Sequence, residues 1–462
     1  MVEEKKERKA EVKMADETRI LFAAPKSGSG KTLITCGFLE VLKRRGISPV
    51  SYKCGPDYID PMFHKYVLGV AGGNLDSFFL GEEEAAEAIK PAACTVIEGV
   101  MGYYDGLGGI STKASTYDIA RITKTPAVLI LDCKGASVSL AAMAKGFMDF
   151  KEDSRIAGVI LNRLSPMLYE RLTPVFSEAG IRVFGYVPES ELFRLESRHL
   201  GLLMPQEVEK MREIITALAV SMEKTVDIDG LLKLAKEAEH LSRKRHEDFS
   251  DMTSAPGLKT PLRIGVAKDE AFCFYYQENL RLMEKMGAEL LFFSPIHDKS
   301  LPEGVNGLLL GGGYPENFAR ELSENQPILK AVKQAAEADM PILAECGGFL
   351  YLHRSLEGSD GQEYAMAGVV GEKAYRTNKL GRFGYVTLTS PRKENIKGHE
   401  FHYWESTDPG STWMAEKPMS QKKWKCMHEK GNLLCGFPHL YYPSNPDFLR
   451  EWLGKCRNWK RK

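Results

Sequence analysis

This 462-residue chain contains no long hydrophobic run, and no apolar stretch approaches the ~20 residues that a membrane-spanning helix needs. We therefore predict that it does not interact with a membrane. The nine cysteines form no C-x-x-C pair and show no paired spacing. Such an odd, unpatterned set indicates a reducing compartment rather than a disulfide framework, which predicts a cytoplasmic protein.

A charge surplus of either sign is also missing. Lysine plus arginine and aspartate plus glutamate both number 62, so the formal net charge is zero. Because nucleic-acid binding requires a basic surplus, we predict that no nucleic acid is a main partner. Residues 1–18 carry mixed charges and lack an apolar segment, so we expect a disordered extension rather than a secretory signal.

Short apolar runs alternate with longer amphipathic segments from Arg19 onward. This alternation predicts an α/β fold with a parallel sheet covered on both faces. The motifs follow the predicted strands, and open α/β sheets bind ligands at strand carboxyl ends. The predicted strands of the first half are Ile20–Ala24, Val50–Tyr52, Thr95–Ile97, Ala127–Leu131, Gly158–Leu161 and Arg182–Val187.

The chain is too long for one core, and the pattern predicts where it divides. Residues 207–248 are predicted as helix, and residues 249–260 as a linker rich in Ser, Pro and Gly. We thus predict domains at 19–248 and 261–456. The strands expected to form the second sheet are Leu262–Ala267, Leu290–Phe293, Gly307–Leu310, Pro341–Ala344, Tyr385–Leu388 and Leu433–Phe437.

Residues 24–32, A-P-K-S-G-S-G-K-T, have the composition of a phosphate-binding loop between a strand and a helical segment at Leu33–Arg45. The strict motif G-x-x-x-x-G-K-[ST] fails at Pro25, so a glycine-rich turn is the alternative. Glycines let backbone N–H groups reach phosphate oxygens, a lysine adds charge, and a threonine hydroxyl suits Mg²⁺. The expected ATP-binding residues are Ser27, Gly28, Gly30, Lys31 and Thr32.

Carboxylates follow the next strands along the chain. Asp57 and Asp60 lie in C-G-P-D-Y-I-D-P, Glu98 in V-I-E-G, and Asp105 in Y-Y-D-G. Mg²⁺ prefers oxygen ligands and retains water, so one or two carboxylates with Thr32 and phosphate suffice. Strings rich in Asp, Gly and Pro also form ordinary turns, and for each acid alone that interpretation stays open.

Cys346 ends an apolar run in P-I-L-A-E-C-G-G-F-L. A strand that enters small residues and then a helix is typical of a turn that exposes a nucleophile, with the N–H of Gly347 available to an oxyanion. The turn Gly311–Gly313 offers a second donor. His439 follows a late strand and is the preferred base, because a thiol needs a base or cation to activate it. An inert buried thiol is the alternative.

Several longer strings carry a family resemblance that covers about residues 19–455. They include Y-K-C-G-P-D-Y-I-D-P-M-F-H, G-N-L-D-S, I-E-G-V-M-G-Y-Y-D-G, G-G-G-Y-P-E, A-E-C-G-G-F-L-Y-L, I-K-G-H-E-F-H-Y and P-S-N-P-D-F. The chain thereby resembles the cobyrinate a,c-diamide synthases, glutamine-dependent amidotransferases of the cobyrinate and cobyric acid synthase group. The resemblance implies a dethiobiotin-synthetase-like P-loop domain followed by a class I-type glutamine amidotransferase domain.

The resemblance also implies a reaction in cobalamin biosynthesis. ATP phosphorylates the a and c acetate carboxylates of cobyrinate, a tetrapyrrole polycarboxylate, and ammonia from L-glutamine displaces the phosphate. Mg²⁺ is the implied cofactor, and a homodimer is a further expectation. By position, the implied catalytic residues are Cys346, His439, Gly347 and Gly312, and the metal residues are Thr32, Asp57 and Glu98. The residues near the acceptor are Asp60, Asp76 and Asp105, while His399 and His402 line either the substrate site or the domain interface.

Two alternative functions stay open, and at one position the sequence departs from the pattern of many glutamine amidotransferases. The same chemistry on nickel-sirohydrochlorin or hydrogenobyrinate would give the same two-domain plan. A partitioning-type ATPase switch is suggested by Lys26, which precedes Lys31 in K-S-G-S-G-K-T. Many glutamine amidotransferases have a His-x-Glu pair, whereas Tyr441 stands two residues after His439 here. The group that orients His439 is therefore not predicted.

Overall fold

A computed structural model describes residues 17–193, 205–241 and 261–460, which form two compact units. Unit 1 contains residues 17–193 and 205–241, and unit 2 contains residues 261–460. The predicted linker and residues 1–16 lie outside the described residues, so the domain boundaries stay predictions. Thr18, which the prediction placed in the extension, is buried, and its carbonyl accepts from the Thr95 N–H at 2.8 Å.

Unit 1 is built on a seven-stranded, fully parallel sheet with the strand order β3-β2-β4-β1-β5-β6-β7. All six predicted strands are present, and β3 adds one that the short G-G-N-L run did not predict. Most residues of these strands are buried, as is typical of a parallel sheet that helices cover on both faces. The strands are β1 (Arg19–Ala23), β2 (Pro49–Cys54), β3 (Gly72–Leu75), β4 (Cys94–Glu98), β5 (Ala127–Asp132), β6 (Ile156–Asn162) and β7 (Val183–Val187).

In unit 1 a helix lies between each strand and the next along the chain, which is the crossover connection that parallel strands need. The segment predicted as one helix at 207–248 is two helices, because Asp227 caps a new helix by accepting from the Gly230 N–H at 2.8 Å. Residues 242–248 lie outside the described residues. The helices are Lys31–Arg44, Ile59–Tyr66, Glu82–Glu87, Thr116–Ile122, Ser139–Asp149, Pro166–Glu178, Pro205–Thr225 and Ile228–Lys236, with 3₁₀ turns at Leu107–Gly109 and Glu191–Phe193.

Unit 2 has a central six-stranded sheet with the order β10-β8-β11-β13-β23-β22, in which only β22 is antiparallel to its neighbour. Apolar clusters cover it on both faces. Its strands are β8 (Leu262–Ala267), β10 (Ala288–Phe293), β11 (Gly307–Leu310), β13 (Ile342–Glu345), β22 (His428–Lys430) and β23 (Leu433–Gly436), beside the two-stranded pair β9 (Phe272–Phe274) and β12 (Gly312–Gly313).

Two further sheets, one antiparallel and one mixed, correct the prediction of a single second sheet. The predicted strand at Tyr385–Leu388 belongs to the order β21-β20-β17-β18-β24, and another sheet has the order β15-β14-β16-β19. These strands are β14 (His353–Glu357), β15 (Glu363–Ala365), β16 (Val370–Arg376), β17 (Phe383–Thr389), β18 (Asn395–Phe401), β19 (Trp404–Ser406), β20 (Trp413–Glu416), β21 (Lys423–Cys426) and β24 (His439–Leu440).

The helices of unit 2 are Gln277–Lys285, Ala319–Glu324, Gln326–Glu337, Gly347–Leu352 and Pro446–Asn458, with 3₁₀ turns at Pro315–Phe318 and Tyr442–Ser444. In the part of the chain that the structure covers, no helix has both the length and the apolar character needed to cross a bilayer.

Candidate functional site

The phosphate loop joins β1 to the helix Lys31–Arg44, as predicted. Gly30 has a left-handed backbone with φ 95°, and a Cβ atom there would lie 2.2 Å from the Asn162 amide nitrogen, so only glycine fits. Asn162 donates to the Ser29 carbonyl at 2.9 Å, and Arg163 donates to the Gly28 carbonyl at 3.1 Å. The end of β6 therefore holds the loop in shape, while Ser27 is exposed.

Lys31 begins the helix after the loop and is nearly buried. Its ammonium donates to the Met101 carbonyl at 2.6 Å. Burial and the charge of Lys53 lower the pKa of Lys31 to about 8, against the attraction of Glu98, Asp60 and Asp105. An anionic phosphate near this ammonium would favour its charged form.

Lys53 organises a buried charge cluster at the carboxyl ends of β2 and β4, where it pairs in register with Glu98. Its ammonium lies 2.8 Å from Asp60 Oδ2, 2.9 Å from Glu98 Oε1 and 2.9 Å from the Gly99 carbonyl. The Thr32 hydroxyl also donates to Glu98 and lies 3.4 Å from Asp60 Oδ2. The loop threonine and two of the predicted carboxylates thus converge.

Opposite effects set the pKa values in this cluster. Burial alone would raise the pKa of Glu98, but the charge of Lys53 and the contacts with His64 and Thr32 hold it below its usual range. Burial alone would lower the pKa of Lys53, but Asp60 and Glu98 raise it. Burial and the nearby Asp60 carboxylate raise the pKa of Asp57 to about 6. Lys53 is therefore ion-paired with Asp60 and Glu98, and the pKa of Asp57 is shifted toward its protonated form.

The other predicted acids have local partners. Asp57 Oδ1 accepts from the N–H groups of Ile59 and Asp60 at 2.8 and 3.0 Å, so it caps the start of the helix Ile59–Tyr66. Asp76 is buried and accepts from two backbone N–H groups of residues 78 and 79. Asp105 is exposed, accepts from the Gly102 N–H at 3.1 Å and contributes to the potential at Lys31.

These residues fit a Mg²⁺ ion that binds together with a nucleotide. The Thr32 hydroxyl, Glu98 and Asp60 supply adjoining oxygen ligands of the kind that Mg²⁺ prefers. Among the described residues, no group of three His, Cys, Asp or Glu side chains is arranged to hold a metal by itself. Phosphate oxygens and water would have to complete the coordination of an ion here.

A cleft of about 270 Å³ lies beside the loop at Gly30. It extends from the carboxyl end of β6 to that of β7, and both ends are typical ligand positions in a parallel sheet. Its lining residues are Gly30, Leu33, Lys134, Asn162, Arg163, Val187, Pro188, Glu189, Ser190, Glu191 and Phe193. The cleft has room for the part of a nucleotide that lies beyond its phosphates.

Cys346 stands between β13 and the helix Gly347–Leu352 with φ 48° and ψ −102°, a strained conformation for a residue with a side chain. This is the predicted strand-to-helix turn. The Gly347 N–H points at the Cys346 sulfur. Burial and the charge of Glu316 raise the pKa of the Cys346 thiol, against that hydrogen bond, so the thiol is protonated at neutral pH.

The glycine turn contacts both parts of the predicted catalytic pair. A Cβ atom on Gly347 would lie 3.0 Å from the Gly313 nitrogen, and one on Gly312 would lie 2.3 Å from His439 Cε1. The Gly311 N–H donates to the Tyr275 hydroxyl at 2.8 Å. The turn therefore brings the segment of Cys346 and the ring of His439 to the same place.

His439 and His399 form a stacked pair because they lie opposite each other in the antiparallel strands β24 and β18. Their ring centroids are 4.9 Å apart at 15°, and His399 Nδ1 lies 3.0 Å from the Tyr276 hydroxyl. Burial, with the neighbouring histidines, keeps the pKa of His439 well below its usual range. Burial lowers the pKa of His399 to about 3. Both rings are neutral near pH 7.

His402 occupies a different environment. Its ring stacks on that of Phe437 with the ring centroids 4.0 Å apart, and its Nε2 lies 3.2 Å from Glu400 Oε2. Its Nδ1 lies 2.7 Å from the Trp404 carbonyl. The resemblance placed His399 and His402 near the acceptor or the domain interface; in unit 2 their contacts are with His439 and Glu400, respectively.

Sequence reasoning missed several polar residues at these sites. Lys53 and His64 lie within the quoted Y-K-C-G-P-D-Y-I-D-P-M-F-H string but had no role, although a lysine in a buried strand requires carboxylate partners. Asn162 ends a predicted strand, which was a usable signal. Glu345 was also missed; burial raises its pKa to about 8, and it accepts from the Tyr442 hydroxyl at 2.8 Å.

Two family models cover most of the chain. Residues 20–203 match the CobQ/CobB/MinD/ParA nucleotide binding domain, and residues 263–446 match the CobB/CobQ-like glutamine amidotransferase domain. These matches agree with the predicted P-loop domain followed by an amidotransferase domain.

Full-length relatives have one name in common. The cobyrinate a,c-diamide synthase of Listeria innocua is 38% identical over 458 residues, covering 94% of this chain and 99% of the relative. That of Caldanaerobacter subterraneus subsp. tengcongensis is 37% identical, covering 96% and 99%. That of Thermoplasma volcanium is 36% identical, covering 96% and 98%. The chain therefore belongs to the cobyrinate a,c-diamide synthase family.

Proposed function

We propose that this chain converts the a and c acetate carboxylates of cobyrinate to amides, using ATP and glutamine, in cobalamin biosynthesis. The observation that carries this proposal is the presence, in one chain of this family, of a phosphate loop with a buried carboxylate cluster and of a strained cysteine beside a histidine pair. The first site suits carboxylate activation, and the second suits glutamine hydrolysis.

Carboxylate activation takes place in unit 1. The γ-phosphoryl group of ATP moves to an oxygen of the substrate carboxylate, which gives an acyl phosphate and ADP. Loop N–H groups and Lys31 bind the phosphates, and the base and ribose occupy the cleft beside Gly30. Ammonia then attacks the acyl carbon, and phosphate leaves with the carboxylate oxygen. The family supports the use of ATP.

Thr32 and Glu98 would hold a Mg²⁺ ion, which would supply positive charge next to the transferring phosphoryl group. After Glu98, Asp60 is the carboxylate that lies closest to the Thr32 hydroxyl. We therefore assign Asp60 to the metal environment in preference to Asp57, because Oδ1 of Asp57 caps a helix. Lys53 pairs with both Glu98 and Asp60 and so holds the two carboxylates close together. The assignments of Asp76 and Asp105 to the acceptor side stay predictions.

Glutamine hydrolysis takes place in unit 2. The Cys346 thiol gives its proton to the neutral His439 ring, and its sulfur bonds to the amide carbon of glutamine. His439 then protonates the leaving ammonia, and water releases glutamate from the thioester. The Gly347 N–H, which interacts with the sulfur in the free thiol, stabilises the oxyanion that forms on attack, as we predict from its position. Because the free thiol has a raised pKa, the proton transfer to His439 accompanies attack on glutamine.

His399 is the group that we propose orients His439. The ring stacking fixes the plane of His439, and the Tyr276 hydroxyl fixes His399 in turn. This arrangement takes the place of the His-x-Glu pair, which Tyr441 excludes here. Glutaminase activity in a His399→Phe variant, which keeps a stacking ring, is expected to exceed that in His399→Ala.

Removing the thiol tests the two-site function directly. In Cys346→Ala, glutamine should no longer support amide formation, whereas ammonium salts should support it at the wild-type rate. The reaction is followed by mass spectrometry of cobyrinate products. Lys31→Ala is the reciprocal control and should lose amide formation with both nitrogen sources. Loss of ammonia-supported synthesis in a folded Cys346→Ala would contradict separate sites.

The cytoplasmic location and the homodimer stay proposals. Light scattering of the purified chain measures the oligomeric state, with twice the monomer mass expected.

A further inference from the structure

His64 is a buried histidine with a polar group at each ring nitrogen. It lies in the helix Ile59–Tyr66, two turns after Asp57. Its Nδ1 lies 2.9 Å from the Ser51 hydroxyl oxygen, and its Nε2 lies 3.1 Å from Glu98 Oε2. Ser51 and Glu98 are also buried, in β2 and β4. A chain of three side chains therefore runs from the sheet to the carboxylate beside the phosphate loop.

The chemistry of the neighbouring groups selects one tautomer of the His64 ring. A carboxylate oxygen can only accept, so the His64 nitrogen that faces Glu98 must carry the proton. In the tautomer that carries this proton on Nε2, Nδ1 is the acceptor and the Ser51 hydroxyl donates to it. Each of the two contacts requires the same tautomer, so they reinforce one another.

His64 contacts only Oε2 of Glu98, so Oε1 stays in contact with the residues beside the phosphate loop. Glu98 Oε1 receives the Lys53 ammonium at 2.9 Å and the Thr32 hydroxyl. The terminal torsion of a glutamate is broad, so contacts on one oxygen alone would not fix the carboxylate plane. The contact of His64 Nε2 with Glu98 Oε2 is the second contact that fixes this plane.

We infer that His64 is a positioning residue that fixes the carboxylate of Glu98 for the metal-bound nucleotide, and that Ser51 fixes the tautomer of His64. The inference rests on the proposed role of Glu98 at the metal. Partners that orient a metal ligand in this way typically change metal affinity or activity by roughly 10- to 100-fold when removed.

A role in packing alone gives a different expectation, and two polar variants separate the two roles. The Gln amide of His64→Gln reaches the position of Nε2 and can still donate to Glu98. The shorter Asn amide of His64→Asn can replace Nδ1 beside Ser51 but does not reach Glu98. Both variants lose the ring, so a packing role predicts that they behave alike.

The experiment measures equilibrium binding of a non-hydrolysable fluorescent ATP analogue to the full chain, with and without Mg²⁺. The readout is the ratio of the two Kd values. In wild type, Mg²⁺ should tighten binding; His64→Asn should lose roughly tenfold of that tightening, while His64→Gln should keep most of it. Ser51→Ala should show a smaller loss in the same direction. The Kd without Mg²⁺ should stay at the wild-type value throughout.

Equal ratios in His64→Asn and His64→Gln would overturn the inference, whether both match wild type or both fall. Thermal unfolding of each variant confirms that the folded protein is being compared. If wild type itself shows no tightening by Mg²⁺, the proposed metal environment fails together with the inference. Glutamine hydrolysis at Cys346 does not depend on that result. Failure of the inference alone, with Mg²⁺ tightening in wild type but equal ratios in the two variants, is therefore distinguishable from failure of the proposed metal environment.

Discussion

Gly312 shows at the scale of one residue how the glutaminase site excludes a side chain. A methyl group there would lie 2.3 Å from His439 Cε1. We predict that Gly312→Ala displaces the His439 ring and lowers the glutaminase kcat by roughly 10²-fold or more, because small displacements of a catalytic group cost that much. Synthesis with ammonia in place of glutamine should continue.

Gly454→Ala is the matched control in the same unit. Gly454 lies within the helix Pro446–Asn458, and a Cβ atom there meets nothing within 4 Å. Alanine in a helix interior is favoured over glycine by up to ~1 kcal/mol, so this variant should be active and slightly more stable. If Gly312→Ala kept its glutaminase activity, the contact with His439 would have no role in catalysis.

Glu316 provides a pH-dependent test at Cys346. Burial raises the pKa of Glu316 to about 7, so above that pH its carboxylate is charged and opposes formation of the Cys346 thiolate. Glu316→Gln removes the charge and should lower the thiol pKa. Alkylation of Cys346 by iodoacetamide at pH 8 should then be roughly two- to fivefold faster, measured by peptide mass spectrometry.

Glu321→Gln, in the exposed part of the next helix, should leave the alkylation rate unchanged. In all these proteins the rate should rise with pH, because the thiolate is the reacting species. An unchanged rate in Glu316→Gln would show that the Glu316 charge does not act on Cys346.

At the scale of elements, the phosphate loop depends on the carboxyl end of β6. Asn162 donates to the Ser29 carbonyl, and its side chain fills the space beside Gly30. We predict that Asn162→Ala loosens the loop and raises the KM for ATP by roughly tenfold, the cost of one well-formed hydrogen bond in a binding site. Steady-state kinetics with ammonia as nitrogen source measures this effect in isolation from the glutaminase.

Ser177→Ala, at the exposed end of the helix Pro166–Glu178 that follows, should leave the KM for ATP at the wild-type value. A KM for ATP that is equal in Asn162→Ala and Ser177→Ala would mean that β6 does not support the loop.

The sequence predicted elements whose signal is local. The strand before the phosphate loop and the turn at Cys346 were predicted because apolar runs, glycines and functional groups are adjacent in the chain. The contacts of Lys53 and His64 with Glu98 were not predicted, because they depend on the order β2-β4-β1, which brings residues 34 or more positions apart together. His399 beside His439 depends likewise on the pairing of β18 with β24.

The β-rich part of unit 2 was the weakest part of the prediction. Tyr385–Leu388 has the alternation of a strand, but alternation does not tell which sheet a strand joins. The second half therefore appeared to contain one sheet, whereas β17 joins an antiparallel sheet with β24, the strand that contains His439. The break at Asp227 was also missed, because a capping aspartate resembles any other acid on a charged helix.

The whole molecule combines activation of a carboxylate and release of ammonia in one chain. A phosphate loop alone would fit many ATPases, and a strained cysteine alone would fit a hydrolase. Their combination in a member of the cobyrinate a,c-diamide synthase family indicates amidation of a polycarboxylate.

The most direct test is mass spectrometry of cobyrinate after incubation with the full chain, ATP, Mg²⁺ and glutamine, in parallel with nickel-sirohydrochlorin and hydrogenobyrinate. We predict that cobyrinate exchanges two OH groups for NH₂ groups, one on each of the a and c arms. An unchanged mass of cobyrinate would contradict this prediction, and so would amidation of nickel-sirohydrochlorin or hydrogenobyrinate in place of cobyrinate.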